Sequence, residues 1–389
     1  MRRSYLYVLA GAVACYASLG AVVRIIPGYV GDQLQEPAAI VGLAIGAPAL
    51  TAVVARPLGG RLADARGTLV VASGGAVVMA LGALPMFGEH LAPLLVSRLI
   101  VGVGEGAMMS ASVLWLLRLA GPERRGRALG HIGLANYAGL TAGPLLADAL
   151  GGPAHATRVF AAAALLPLLP LGLFRAAEPG DVPDNGQARP ASLRSLALIV
   201  LAPGLGLLLV NIGYAALLSF GAAAVGGAAV LVLPAYAITV ILVRTLAGSV
   251  PDHLGGRRTL IAAAPTAAAG LLVVAVAPTT APALAGVVIL GLGQGLAVPA
   301  LGLLALEPVP AADQGAASGA FFAWFDAGVG IGGPLAGLAA GVGGPDTALT
   351  VAAVAVAGTV PAALLTPRAR VRQTAGSSSS ARSSSGGQP

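Results

Sequence analysis

Two stretches of this chain share one spacing. Arg56, Gly60, Asp64 and Gly67 lie in a polar break between two long apolar segments. Arg244, Gly248, Asp252 and Gly255 repeat those residue types 188 positions later, again between apolar segments. Four spaced matches in the same surroundings mark a duplicated unit, and any fold for this chain has to contain it twice. The echo goes further. Gly102, Gly104 and Glu105 are matched by Gly291, Gly293 and Gln294 at an offset of 189, and Gly143-Pro144-Leu145 by Gly333-Pro334-Leu335 at an offset of 190.

The medium of the unit follows from composition. Of 389 residues, 57% are hydrophobic and only 10% charged, where a soluble domain carries about a quarter. Such a chain belongs in a bilayer. All 22 basic residues are arginine. Without lysine there is no Gly-Lys-Ser/Thr phosphate loop, which excludes ATP-driven pumping by this chain. One cysteine, Cys15, excludes an internal disulfide and a cysteine metal cluster. His90, His131, His155 and His253 are scattered, so no metal site is expected. The net charge of +7 comes from arginines that flank apolar spans, with no basic-aromatic groove, so nucleic acid is not an expected partner. The apolar run after Arg3 extends to about Val30, too long for the core of a cleaved signal, and is expected to stay as the first helix.

Twelve spans near the 20 residues needed to cross hydrocarbon can be laid down. They fall at roughly 5–30, 39–58, 69–87, 91–117, 128–150 and 158–175, then 195–220, 227–248, 259–277, 282–305, 316–341 and 347–366. All should be helices, because hydrocarbon offers free backbone groups no partner. The expected fold is thus an all-α membrane protein, with twelve transmembrane helices in two pseudo-symmetric six-helix bundles, 1–175 and 195–367. A cytoplasmic linker at 176–194 joins them, and a disordered Ser/Gly-rich tail follows at 368–389. With the N-terminus inside, the outer loops hold only Arg158, which orients both termini to the cytoplasm of a plasma membrane. The bilayer is one partner, a small-molecule substrate the other, and a monomer is expected.

The break at Arg56–Gly67 resembles a loop signature of the major facilitator superfamily, roughly Gly-x-x-x-Asp-Arg-x-Gly-Arg-Arg. The first copy departs from it at Ala65 and Thr68-Leu69, and the second keeps a basic pair as Arg257-Arg258. Arg98-x-x-x-Gly102-x-Gly104 resembles a second signature, whose arginine is thought to assist proton transfer. Gly139-x-x-x-Gly143-Pro144 resembles a third, associated with exporters that exchange substrate for protons, although Ala147-Asp148 stands where that pattern ends Gly-Gly. The resemblance implies a secondary transporter, not an enzyme, working by alternating access. It would be similar to drug/proton antiporters or arabinose-efflux permeases, with the proton gradient as energy source and no cofactor. It also implies gating roles for Arg56, Gly60, Asp64 and Gly67 and for Arg244, Gly248, Asp252 and Gly255, with Asp64 and Asp252 latching the outward-facing state. Simple solvation of those loops is the competing reading. Proton-coupled uptake of a small organic anion is the alternative activity. A sensor or lipid-handling protein on the same scaffold is the alternative of another class.

Charges inside the spans single out the site. Each costs about 2.5–3.5 kcal/mol on insertion scales, so each should face a cavity or a partner. They are Arg24, Arg98, Glu105 and Asp326, with Asn136, Asn211 and Gln294 as uncharged candidates. Glu105 stands where the second half has Gln294, and Asp326, at offset 190, where the first has Asn136. Neither acid is therefore demanded by packing common to both halves. Glu105 and Asp326 are the expected proton-coupling pair, and Arg24, Arg98 and the three amides the expected cavity lining. The competing readings are a fixed ion pair for Glu105, and for Arg24 snorkelling or a partner in Asp32 or Glu36. Gly139, Gly143 and Pro144, and Gly333 and Pro334, are expected to kink the fifth and eleventh helices.

Overall fold

A chain that leaves its backbone nothing but itself to bond has to be helical in hydrocarbon. In a computed structural model, which describes residues 2–120, 124–177, 193–309 and 314–365, the described residues contain helices and no strand. In the first half these are α1 (Arg2–Ile26, continued by a π-helical turn at Pro27–Gln33), α2 (Ala38–Arg66), α3 (Thr68–Gly82), α4 (Leu91–Ala120), α5 (Arg125–Ala149) and α6 (Gly152–Ala176). The last is broken into short pieces around Pro167 and Pro170. In the second half α7 is Leu193–Val225, α8 Val232–Leu246, α9 Gly256–Val276 and α10 Thr280–Leu306. The run Gln314–Ala357 is two helices, α11 and α12, meeting at the non-helical Gly343 and Gly344.

Ten described segments are long and apolar enough to cross a membrane. One of the ten is the joined α11 and α12, and α5 is not among them. Counting α5 and dividing the joined pair returns the expected twelve. The linker and the tail fall outside the described residues, apart from residues 176, 177, 193 and 194.

The first loop of the repeated motif has almost no length. Gly67, at φ 92 and ψ 147, is all that separates α2 from α3. Gly255, at φ 84 and ψ 142, has the same backbone just before α9, where it follows a turn at 247–249 and a short helical piece at Val250–Leu254. Backbone of this kind is close to glycine-only territory.

Small residues set the packing. A Cβ on Gly104 of α4 would lie 2.6 Å from the Gly75 carbonyl oxygen of α3, and one on Gly293 of α10 would lie 2.6 Å from that of Ala263 on α9. A Cβ on Gly106 would lie 2.9 Å from Ala55 Cβ and 3.2 Å from Arg56 N on α2. Its counterpart on Gly295 would lie 3.0 Å from Val243 Cβ on α8. These pairs are related by the same offsets of 188 and 189, so the duplication is realised contact by contact. Without a hydrophobic force between helices, such close backbone approach and its dispersion contacts hold the bundle.

The two halves meet along α2 and α11. A Cβ on Gly42 would run into the carbonyl of Gly333, one on Gly46 would lie 2.8 Å from the carbonyl oxygen of Gly330, and one on Gly337 would strike that of Ala38. All these residues belong to the halves of α2 and α11 away from the chain termini. A second junction joins α5 to α8, where Tyr137 and Tyr236 lie 6.2 Å apart between ring centroids.

Candidate functional site

Four side chains converge where α1, α2, α4 and α11 come together. Glu105 is fixed to α4 beside Gly104 and Gly106, whose missing side chains let α3 and α2 close in. Arg56 on α2 donates from Nη2 to Glu105 Oε1 at 3.0 Å. The hydroxyl of Tyr16, from α1, donates to the same oxygen. Arg56 Nε lies 2.6 Å from Asp326 Oδ2 of α11. Neither of those two atoms has an aligned hydrogen bond, so this is a contact of charges. The side chains of Glu105 and Asp326 are only 7% and 4% exposed and that of Arg56 19%, so water screens them little. Ser110 Oγ donates to the Arg56 carbonyl at 2.9 Å and braces α2 against α4.

Arg56 therefore does not sit with the loop residues of its motif. It lies ten residues before the end of α2, about 15 Å along the helix axis. It bridges an acid of its own half and an acid of the other. Glu105 and Asp326 are buried within apolar spans, where the sequence sets them, but the cation between them was not among the expected cavity residues. Tyr16 was missed as well. Its signal was a lone midspan tyrosine opposite the small positions of α5: a Cβ on Gly139 would lie 2.6 Å from Tyr16 Cβ.

The other expected cavity residues are dispersed. Arg24 is held by Asp148 at the end of α5, Nε to Oδ2 at 3.0 Å and Nη2 to Oδ1 at 2.9 Å, rather than by Asp32 or Glu36. A two-pronged pair of this kind leaves little of the guanidinium for a substrate. Arg98 is 1% exposed and donates from Nε to the Ala44 carbonyl at 3.0 Å, pinning α4 to α2, with Nη1 unpartnered. It does not pair with Glu105, because α2 brings Arg56 to that carboxylate instead. Asn211 donates to the Leu207 carbonyl of its own helix at 2.7 Å, and Asn136 to Met109 Sδ at 3.9 Å. Gln294 is 1% exposed, and neither atom of its amide has a described partner.

The relation assumed between Asp326 and Asn136 needs correcting. On α5, Gly139 faces the Val13 carbonyl oxygen and Tyr16 Cβ of α1. On α11, Gly328 faces the Leu208 carbonyl oxygen and Asn211 Cβ of α7. A carbonyl oxygen and a Cβ three residues on recur at each glycine, at an offset of 189 between α5 and α11. The structural counterpart of Asp326 is thus Tyr137, and that of Tyr16 is Asn211. The ion pair has its own echo: Arg244 lies over the Tyr137 ring, 4.9 Å from its centroid, as Arg56 lies against Asp326. Pro144 and Pro334, paired in sequence, touch different neighbours, Pro144 near Gly20 of α1 and Pro334 near Gly46 of α2. Both helices run through their prolines, and the non-helical Gly343 and Gly344 mark the junction of α11 with α12. The contacts Gly143 makes are with the α1 backbone at Ala17, Gly20 and Ala21, while Gly333 meets α2.

Of the remaining loop residues, Asp64 pairs with Arg118 of its own half at 2.9 Å. Asp252 is exposed. Gly60 has nothing within 4 Å of where a Cβ would stand, and Gly248, in the turn after α8, has only Arg244 of that helix beside it.

The family model for the Major Facilitator Superfamily matches residues 8–236 and 220–385. An uncharacterized MFS-type transporter of Burkholderia mallei is 33% identical over 358 residues, covering 88% of this chain and 87% of that protein. Among solved structures, the nucleoside transporter NupG in a D323A mutant superposes with a TM-score of 0.78 over 94% of this chain and all of that one, at 13% identity. The inward open xylose transporter XylE from E. coli gives 0.74 over 95% and 97%, at 14% identity. The two likenesses concern the fold, and the family match and the relative carry the assignment: the chain is a membrane transporter of the major facilitator superfamily.

Proposed function

We propose that this transporter couples efflux of small amphipathic molecules to inward proton movement through Glu105, Arg56 and Asp326. One observation carries the reading: a single guanidinium is shared by a carboxylate of its own half and one of the opposite half. With both acids ionised the cluster holds one negative charge in excess, in a place where burial makes an unpaired charge expensive. One proton removes the excess. If it lands on Asp326, the electrostatic tie across the seam is lost and Arg56 remains with Glu105. The halves are then freed to exchange the closed side for the open one. Release of the proton restores the tie. Tyr16 holds Glu105 in position throughout, so the proton-responsive member is the acid across the seam. The exporter-like Gly139-x-x-x-Gly143-Pro144 segment, packed on α1 at Tyr16, supports the outward direction, and the arginine distribution supports cytoplasmic termini in the plasma membrane.

The test is resistance to a panel of toxic amphiphiles in a host stripped of its own efflux pumps, with purified protein in vesicles as its partner assay. Wild type should protect and should move protons when substrate is added. The Glu105→Gln/Asp326→Asn double variant should reach the membrane and do neither. Resistance in wild type that persists in the double variant would overturn the coupling role, and new sensitivity in place of resistance would reverse the direction.

A further inference from the structure

The charged cluster has a mirror image, and the image lacks its acids. The matching contacts of Gly106 and Gly295 set Glu105 against Gln294 and Arg56 against Arg244, and those of Gly139 and Gly328 set Tyr16 against Asn211 and Asp326 against Tyr137. Around Arg56 the protein supplies two carboxylates within 3.0 Å. Among the described residues no carboxylate pairs with Arg244, which lies over the Tyr137 ring and close enough to Tyr236 to act on it by charge. Several polar atoms at the mirrored positions are without a described partner as well. Gln294 Oε1 and Nε2, Asn211 Oδ1 and Arg244 Nε are buried atoms without a described hydrogen-bond partner. Gln294 and Asn211 are 1% and 0% exposed, and polar atoms buried to that degree are ordinarily hydrogen-bonded.

We infer that Arg244 anchors an anionic group on the substrate, and that the transported molecules are small amphipathic organic anions. The substrate's carboxylate would take the place beside Arg244 that protein carboxylates take beside Arg56. The Gln294 amide, which can donate where Glu105 can only accept, suits an incoming anion. The apolar part of the molecule would meet aromatic rings once the halves part there, since Tyr236 stacks on Tyr214 at 5.2 Å and 25°, next to Tyr137, and all three are buried in the closed junction. Arg244 itself is partly exposed and belongs to α8, at the junction with α5 of the other half. An anion there would touch both halves, as Arg56 does on the opposite side of the pseudo-two-fold. The inference rests on the transporter reading of this seam and adds the substrate's charge to it.

Binding and transport are measured separately, so that the two readings fail separately. The probes are 3-phenylpropanoate, benzoate and octanoate, each against its neutral primary amide. Thermal stabilisation of the purified full-length protein without any gradient reports binding, and exchange of radiolabelled 3-phenylpropanoate in vesicles reports transport. At least one acid should stabilise wild type and its amide should not. Arg244→Gln should weaken that binding at least tenfold, with Arg244→Lys in between. Gln294→Glu tests the idea without removing the arginine. It builds the Glu105–Arg56 arrangement into the second half, an arrangement this fold already tolerates, and should abolish anion binding while the protein stays monodisperse. Equal binding of acids and amides, binding unchanged in Gln294→Glu, or no binding by any acid would overturn the inference. Proton movement driven by an uncharged or cationic amphiphile would, in the same experiment, leave the coupling mechanism standing.

Discussion

Arg56 Nε and Asp326 Oδ2 lie 2.6 Å apart across the seam between the two halves, the only described ion pair that crosses it. Nη2 of the same guanidinium donates to Glu105. The cluster therefore ties together an element of each half, and its removal has separable effects on stability and on transport.

Replacing Arg56 with Met leaves two buried carboxylates facing each other without a cation. Breaking a buried pair in this way costs about 3–5 kcal/mol. The variant should melt well below wild type in detergent. Adding Glu105→Gln and Asp326→Asn should recover most of that loss without recovering transport. A triple variant as unstable as the single one would show that Arg56 acts through packing instead of charge.

The α2–α11 contact is set by glycines, so a side chain there should hold the seam open. Gly333→Val should expose residue 39, since Ala39 Cα would lie 2.7 Å from a Cβ on Gly337. The measurement is maleimide labelling of Ala39→Cys in a Cys15→Ser background, which leaves a single thiol. Labelling from the side opposite the termini should rise several-fold over the parent, with transport lost. Unchanged labelling would mean that the seam adapts around the new side chain.

Arg24 and Asp148 form a two-pronged pair between α1 and α5 and are expected to serve structure. Arg24→Ala should cost about 1.5–3 kcal/mol, the usual value of hydrogen bonds to charged groups, reduced by the partial exposure of both side chains, 16% and 25%. The exchange Arg24→Asp/Asp148→Arg should restore stability and leave substrate affinity as in wild type. Lost affinity in a stable exchange variant would return Arg24 to the list of substrate contacts.

Two glycines of one motif should respond oppositely to the same change. Gly67→Ala forces a side chain into φ 92, at about 1–3 kcal/mol, and Gly255→Ala at φ 84 should cost a similar amount. Gly60→Ala lies within α2 with open space around it and should stabilise by about 0.5–1 kcal/mol. Thermal melts of the three variants check the difference. Equal effects at Gly60 and Gly67 would contradict the assigned backbone geometry.

Much of the molecule could be read from residue order alone. The number of helices, the duplication and the placing of Glu105 and Asp326 within apolar spans all followed, because hydrocarbon penalises free backbone groups and unpaired charges wherever they occur. That constraint acts along one dimension and is legible there. The partners of those acids were not. Arg56 read as a loop residue because its motif ends at Gly67, and only the packing of α2 on α4 carries it to Glu105. Arg24 went to Asp148, far off in sequence, for the same reason.

The register between the halves was decided by tertiary structure in the strictest sense. Each residue turns a helix by about 100°. Aligning the halves at an offset of 190 sets Asp326 against Asn136, and at 189 against Tyr137. The repeated Gly-Pro-Leu argued for the first, and the glycine contacts of α5 on α1 and of α11 on α7 require the second. A repeat in residue types records common ancestry of the two halves, whereas the face a side chain presents depends on which backbones touch. For that reason the order of residues determined that this protein is a duplicated twelve-helix membrane chain with two buried acids, and only the folded bundle decided that one arginine serves both acids while its counterpart has none among the described residues.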